Sequence, residues 1–180
     1  MRFIDTLKDR WHALGGEDGP PVSINPDPYL LLDLAQWHAV RAFWPTDVPV
    51  GLKLGNDQDV EDVAADLPRF ELIALHFPKW VDGRAYSQAR LLRSRYRFKG
   101  EVRAIGEVLV DMVPLLARTG FDAAQLRHDQ SVEAAEHALS FFPGHYQGDV
   151  ADNRPLFAKP EGTREALAKA PEFVNLGASI

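Results

Sequence analysis

"FELIALHFPKWVDGRAYSQARLLRSRYRFKGEVRAIG" (Phe70–Gly106) decides the fold. It begins with eight largely apolar residues, 70–77, the length and character of a buried strand. A polar loop with Pro78 and Gly83 follows, the punctuation that turns a chain. Residues 85–96 then place Ala85, Ala89, Leu92 and Tyr96 on one helical face. Residues 100–106 return to a short strand. Strand, helix and strand within 37 residues are a βαβ unit, which forces the two strands to run parallel.

The same rhythm extends both ways. Upstream, residues 48–54 ("VPVGLKL") read as a strand and 55–67 ("GNDQDVEDVAADL") as a capped helix closed by Pro68, with Asn56 or Asp57 as cap. Before these, 29–34 ("YLLLDL") reads as a strand and 35–44 as a helix that stops at Pro45. Downstream, 107–119 reads as a helix with Gly120 beyond its end, 121–126 as a strand and 131–142 as a last helix. Pro114 falls inside the 107–119 helix, so either a bend or a later start is expected. The expected fold is therefore α/β, built of repeated βα units on a mainly parallel sheet, either an open doubly wound sheet or a partial barrel. Residues 1–28 read as an N-terminal extension and linker, 29–142 as a single α/β domain, and 143–180 as an extended C-terminal arm. The arm carries a short helix at 163–170 and apolar anchors at Tyr146, Leu156, Phe157 and Phe173, which suit docking on the body or on a second copy.

Composition narrows the function. A chain of 180 residues, 46% hydrophobic and 26% charged, holds enough apolar material for one core. No apolar run reaches the roughly 18 residues of a membrane span. The start of the chain lacks the pattern of a signal peptide, so a cytoplasmic protein is expected. With no cysteine, thiolate nucleophiles and Cys-ligated metal or iron–sulfur sites are excluded. The net charge of −6 disfavours nucleic acid as a partner. The six histidines show no HxH or HExxH spacing, so no metal site is expected. No glycine pattern supports a flavin or a nicotinamide nucleotide, and no cofactor is predicted.

In a parallel α/β fold, ligands gather where the C-terminal ends of the strands meet their loops. His76, Lys79, Trp80, Asp82, Arg84 and Tyr86 follow one strand, Asn56 and Asp57 another, Gly106 and Glu107 a third, and Arg127 to Gln130 a fourth. The 76–87 loop is the richest. Lys79, Arg84, Tyr86 and Ser87 are candidates for holding an anion at the following helix N-terminus. The alternative is a structural loop in which Arg84 pairs with Asp82 or Glu107, with Asp82 or Ser87 capping the helix. Asp82, Tyr86 and His128 are the candidate proton-handling groups. Arg90, Arg93 and Arg97 form a stripe beside the apolar face of the same helix. It is either a solvated face or a docking surface for an acidic partner.

The motifs Phe77-Pro78-Lys79-Trp80, Asp82-Gly83-Arg84-Ala85-Tyr86-Ser87, Ala89 to Arg93, Gly100 to Ala104 and Gly120-Phe121-Asp122 resemble the bacterial family known as domain of unknown function 934. The resemblance runs over about residues 29–147 and is most specific in the middle. It departs at Thr119, where a Cys is expected, and at Glu107, Val110 and Met112, which replace a more polar pattern. It implies a probable oxidoreductase or accessory protein of assimilatory sulfite reduction, encoded beside the sirohaem sulfite reductase. The implied partner is the reductase haemoprotein or its electron donor. Other readings remain open: an enzyme that binds a small oxyanion or phosphorylated cofactor at 76–87, or a structural module that oligomerises through the C-terminal arm.

Overall fold

The computed structural model describes residues 1–14, 24–141, 146–150 and 152–163. Its described part contains one sheet of seven parallel strands, β1 (Arg2–Phe3), β2 (His12–Ala13), β3 (Leu30–Asp33), β4 (Val50–Leu54), β5 (Phe70–Phe77), β6 (Glu101–Gly106) and β7 (Ala123–Ala124). The helices are α1 (Leu34–Val40), α2 (Arg84–Ser94), α3 (Val113–Thr119) and α4 (Val132–Ser140). The spatial order is β1-β7-β6-β5-β4-β3-β2. From β2 to β7 each strand lies beside its predecessor and the chain always steps the same way. Right-handed crossovers then put every connection on one face, so the sheet curls into a half-barrel. Of the two architectures that the sequence left open, this is the partial barrel.

The outer face carries the main core. Ile73, Leu75 and Phe77 of β5, Leu52 and Leu54 of β4, and Val102 and Ala104 of β6 are fully buried there with Ala85, Ala89 and Leu92 of α2. The inner, concave face is closed differently. β1 and β2 occupy opposite edges of the sheet, so residues 4–11 must cross the concavity to join them. This strap lays Trp11 over Gly51 of β4 and brings the Asp9 carboxylate onto the Arg103 guanidinium of β6. Arg103 is 3% exposed and also binds Glu101, which in turn pairs with Arg2 of β1. The segment read as an N-terminal extension thus supplies both edge strands and the inner lining. Two-residue strands leave no periodicity to detect, which is why the pattern placed the domain start at residue 29.

Other departures have local causes. In place of a helix over 55–67, two 3-10 turns form, Val60–Val63 and Leu67–Arg69. Gln88 of α2 donates from Nε2 to the carbonyls of Gly55 and Gln58, both at 2.7 Å, and holds 55–58 as a turn. Asn56 caps nothing; its amide donates to Asp82 at 2.7 Å. The 107–119 helix starts late, as Pro114 requires: a 3-10 turn at Val110–Met112 leads into α3, with Pro114 in its first turn. Gly120 closes α3 in the left-handed region at φ 106°. α4 begins at the expected place because Ser131 accepts from the Ala134 amide. In the arm, Tyr146 and Phe157 are exposed and touch, with ring centroids 6.3 Å apart. The 163–170 helix beyond Thr163, and Phe173, lie outside the described residues. No described helix is long and apolar enough to cross a membrane.

Candidate functional site

The 78–83 loop sits at the C-terminal end of β5, where an anion was expected, and it holds one of its own. Asp82 accepts from Arg84 Nε at 3.0 Å and Arg84 Nη2 at 2.7 Å, from the Arg84 amide at 3.2 Å, and from Asn56 Nδ2 at 2.7 Å. The N-cap position of α2 is Gly83, which has no side chain, so Asp82 does the capping from one residue earlier. The Arg84 guanidinium beside Asp82 holds its carboxyl down at about 2. Asp82 and Arg84 are therefore mutually satisfied, and Asp82 is a poor proton carrier near neutrality. Tyr86 packs its ring edge-on against Phe77, centroids 5.2 Å apart, and burial pushes its phenol up. The side chains of Ser87 and Lys79 are exposed and make no hydrogen bond or ion pair within the described protein.

A second charged group closes the next loops. Arg127 donates to Glu107 at 2.8 Å and grips Asp129 with two bonds at 2.6 and 2.7 Å. This holds the Asp129 carboxyl well below its ordinary range and raises Arg127. Asp129 thus faces Arg127 rather than His128, so the two neighbours form no acid–base pair. His128 lines an open cleft of about 770 Å³ with Asp5, Thr6, Glu107, Gln125 and Arg127. Asp5 and Thr6 come from the strap and could not be placed from sequence.

Beside this cleft stands His76, the last inward residue of β5. A Cβ at Gly106 would lie 2.9 and 3.0 Å from its ring, and Gly106 itself lines the cleft at φ 94°. Burial, then the charge of Lys53, pushes the imidazole below its ordinary value. Lys53 is the only charged residue of the otherwise apolar β4.

The arginine stripe divides. Arg93 points inward: it donates to the carbonyls of Gly120, Phe98 and Gly100 and pairs with Asp122. Its side chain is only 14% exposed, so it is a brace between α2, α3 and β6 rather than a docking group. Arg90 and Arg97 are exposed and make no side-chain bond within the described protein, and the same holds for Lys99. Arg90 lines a cavity of about 550 Å³ with Ser94, Arg118, Thr119, Asn153 and two acids, Asp149 and Asp152. The Nε of Arg118 is buried there with no hydrogen-bond partner among the described residues. Arg97 and Lys99 line an adjoining hollow of about 430 Å³ that shares Ser94 and Val150. Thr119, the position that departs from the family pattern, thus belongs to the wall of this groove. Its hydroxyl donates to the Leu115 carbonyl at 2.9 Å. Among the described residues no cluster of three or more His, Asp or Glu could hold a metal.

Searches of curated proteins and of solved structures return no match. A family model does match, over residues 51–157, which is more than half of the chain. That span takes in β4 to β7, the Asp82 clamp and the basic groove, so the chain belongs to the family described as bacterial protein of unknown function, DUF934.

Proposed function

We propose that the chain is a cytoplasmic accessory protein of assimilatory sulfite reduction that docks on the sirohaem sulfite reductase, or on its electron donor, through the outer flank of α2. One observation carries the docking: Arg90, Arg97 and Lys99 line two adjoining hollows and none of the three pairs with a carboxylate of the described protein, in a chain of net charge −6; of the acids that share the first hollow, Asp149 and Asp152, the latter is taken up by Arg154 and Lys159. Several arginines elsewhere are matched by a carboxylate within the fold, as at Asp82–Arg84, Glu107–Arg127 and Asp9–Arg103. Unmatched cations beside a hollow favour an acidic surface and speed its approach. The family resemblance supplies the pathway. A protein with no cysteine suits a role in delivery or assembly rather than one that carries its own thiol or iron–sulfur centre.

The test is co-purification with the reductase haemoprotein. Arg90→Glu, Arg97→Glu and Lys99→Glu together should weaken the association at least tenfold, and the wild-type complex should loosen as salt rises. Arg93 is left unchanged because its removal would damage the fold. Equal binding by the triple variant would sink the reading.

A further inference from the structure

The two hollows along the α2 flank share Ser94 and Val150, so Val150 stands as part of the ridge between them. It belongs to the C-terminal arm. With Gly148, Asp149, Asp152 and Asn153 it supplies half of the lining of the first hollow. The arm thus divides the cations of this flank. Arg90 and Arg118 line one hollow, Arg97 and Lys99 the other. With Val150 lifted away, the two would run together as one trough bordered by all four.

The arm wall is a turn bonded to itself. The Asp149 amide donates to the Asp152 carbonyl at 2.9 Å, and the Asp152 amide donates back to Asp149 Oδ1 at 2.7 Å. Asp152 pairs with Arg154 and Lys159 of the same arm. Gly148 has to be bare, because a Cβ there would lie 2.2 Å from the Asn153 carbonyl oxygen. The turn meets the body through Val150. Its amide donates to the Arg118 carbonyl at 3.2 Å, the long end for such a bond, and its Cγ1 lies 3.5 Å from where a Cβ on Gly120 would sit. The bond is long and Val150 only half-buried, so this contact is a weak hold. It also leaves Arg118 in want of an acceptor: the carbonyl is bonded, but Nε is buried with no hydrogen-bond partner among the described residues.

We infer that this turn is a self-bound lid on the basic flank of α2, and that a short acidic peptide segment of the partner takes its place. The inference rests on the docking reading of that flank and names what enters it. With the lid down, Asp149 and Asp152 set negative charge in the first hollow, and Val150 separates it from the second. Lifting the turn removes the chain's own acids together with the ridge. An incoming run of carboxylates then reaches Arg90, Arg97 and Lys99 together and offers the Arg118 guanidinium the acceptor that the turn does not. Only the lid-up form binds, so the apparent affinity of the wild type is reduced by the fraction of time the lid is up. By linkage, a bound acidic segment must hold the lid open to the same degree.

The experiment uses the full-length protein at low salt with hexaglutamate as the probe. Gly148→Ala forces the turn apart at its base, and Val150→Ala trims its contact with the body; neither changes a charge. Each should speed hydrogen exchange of the Asp149, Val150 and Asp152 amides at least tenfold and tighten hexaglutamate binding at least threefold. On the wild type, saturating hexaglutamate should speed the same three amides. Faster exchange in the variants with unchanged affinity overturns the lid and leaves the docking surface standing. Wild-type amides that saturating peptide leaves as slow as before also overturn it, and that comparison needs no variant. Hexaglutamate that binds none of the three proteins removes the docking reading, and the lid with it.

Discussion

Trp11 occupies the space that a side chain on Gly51 would need: a Cβ at Gly51 would come within 2.9 Å of the indole ring. The strap and the sheet therefore fit only because one position of β4 is bare. Gly51→Val should destabilise the protein by about 1–3 kcal/mol, the usual cost of forcing extra carbons into a packed site. Trp11→Leu in the same chain should recover part of that loss, because it removes the ring that clashes. Urea unfolding of the two single variants and the double variant gives the coupling directly. Strictly additive effects would show that the strap does not rest on Gly51.

Arg93 and its neighbours on α2 should separate cleanly in a stability measurement. Arg93 satisfies three carbonyls and one carboxylate, so Arg93→Met leaves several partly buried acceptors unpaired and should cost about 3 kcal/mol. Arg90→Ala and Arg97→Ala remove exposed side chains with no internal bond and should stay within about 0.5 kcal/mol of the wild type. Thermal unfolding of the three variants checks this. A mild Arg93→Met would return that residue to the docking surface.

The contrast between those arginines shows what sequence could carry. Helical spacing correctly put Ala85, Ala89 and Leu92 on the sheet with Arg90 and Arg93 beside them, but Arg97 lies past the end of α2 at Ser94, in the left-handed region at φ 52°. It could not tell that Arg93 leans over the edge of α2 to reach Gly100 and Gly120, because those partners come from separate elements. The long strands β4, β5 and β6 were legible since their apolar runs exceed the noise of the pattern. β1 and β2 were not, since two residues have no period. The rim was legible as a location: His76, Asp82, Glu107 and Arg127 do gather there. Which charges neutralise one another is a matter of angstroms, and there the order of residues is silent.

The Asp82 clamp makes a prediction in pH. The Asp82 carboxyl titrates at about 2 in the folded protein, against an ordinary 3.8. A depressed carboxyl contributes stability that is fully present above the ordinary value and is lost as pH falls through the folded one. The loop should therefore stay clamped down to pH 3.8 and release as pH drops toward about 2. Carboxyl-carbon NMR should show the low midpoint. Arg84→Met should bring it up toward 3.8, and Asn56→Ala should move it less, since Arg84 is the larger cause. A midpoint unmoved by Arg84→Met would mean that the clamp seen around Asp82 is not what holds the proton off.

Arg103 gives the sharpest test of how the inner face is held. It is almost wholly buried, with Asp9 from the strap and Glu101 from its own strand as its two anions. Asp9→Asn keeps the shape but removes one of those charges, so Arg103 is left under-compensated in a place water barely reaches. A charged hydrogen bond of this kind is worth about 1.5–3 kcal/mol, and a loss of that size is expected in urea unfolding. Arg103→Met should be less harmful than a simple count of bonds implies. An apolar side chain of similar length needs no partner there, Glu101 keeps its pairing with Arg2, and Asp9 lies near enough to the surface to be hydrated. The order to look for is therefore Asp9→Asn at least as destabilised as Arg103→Met. The reverse order, with Arg103→Met losing the larger share of stability, would mean that the guanidinium organises the strap by more than its charge.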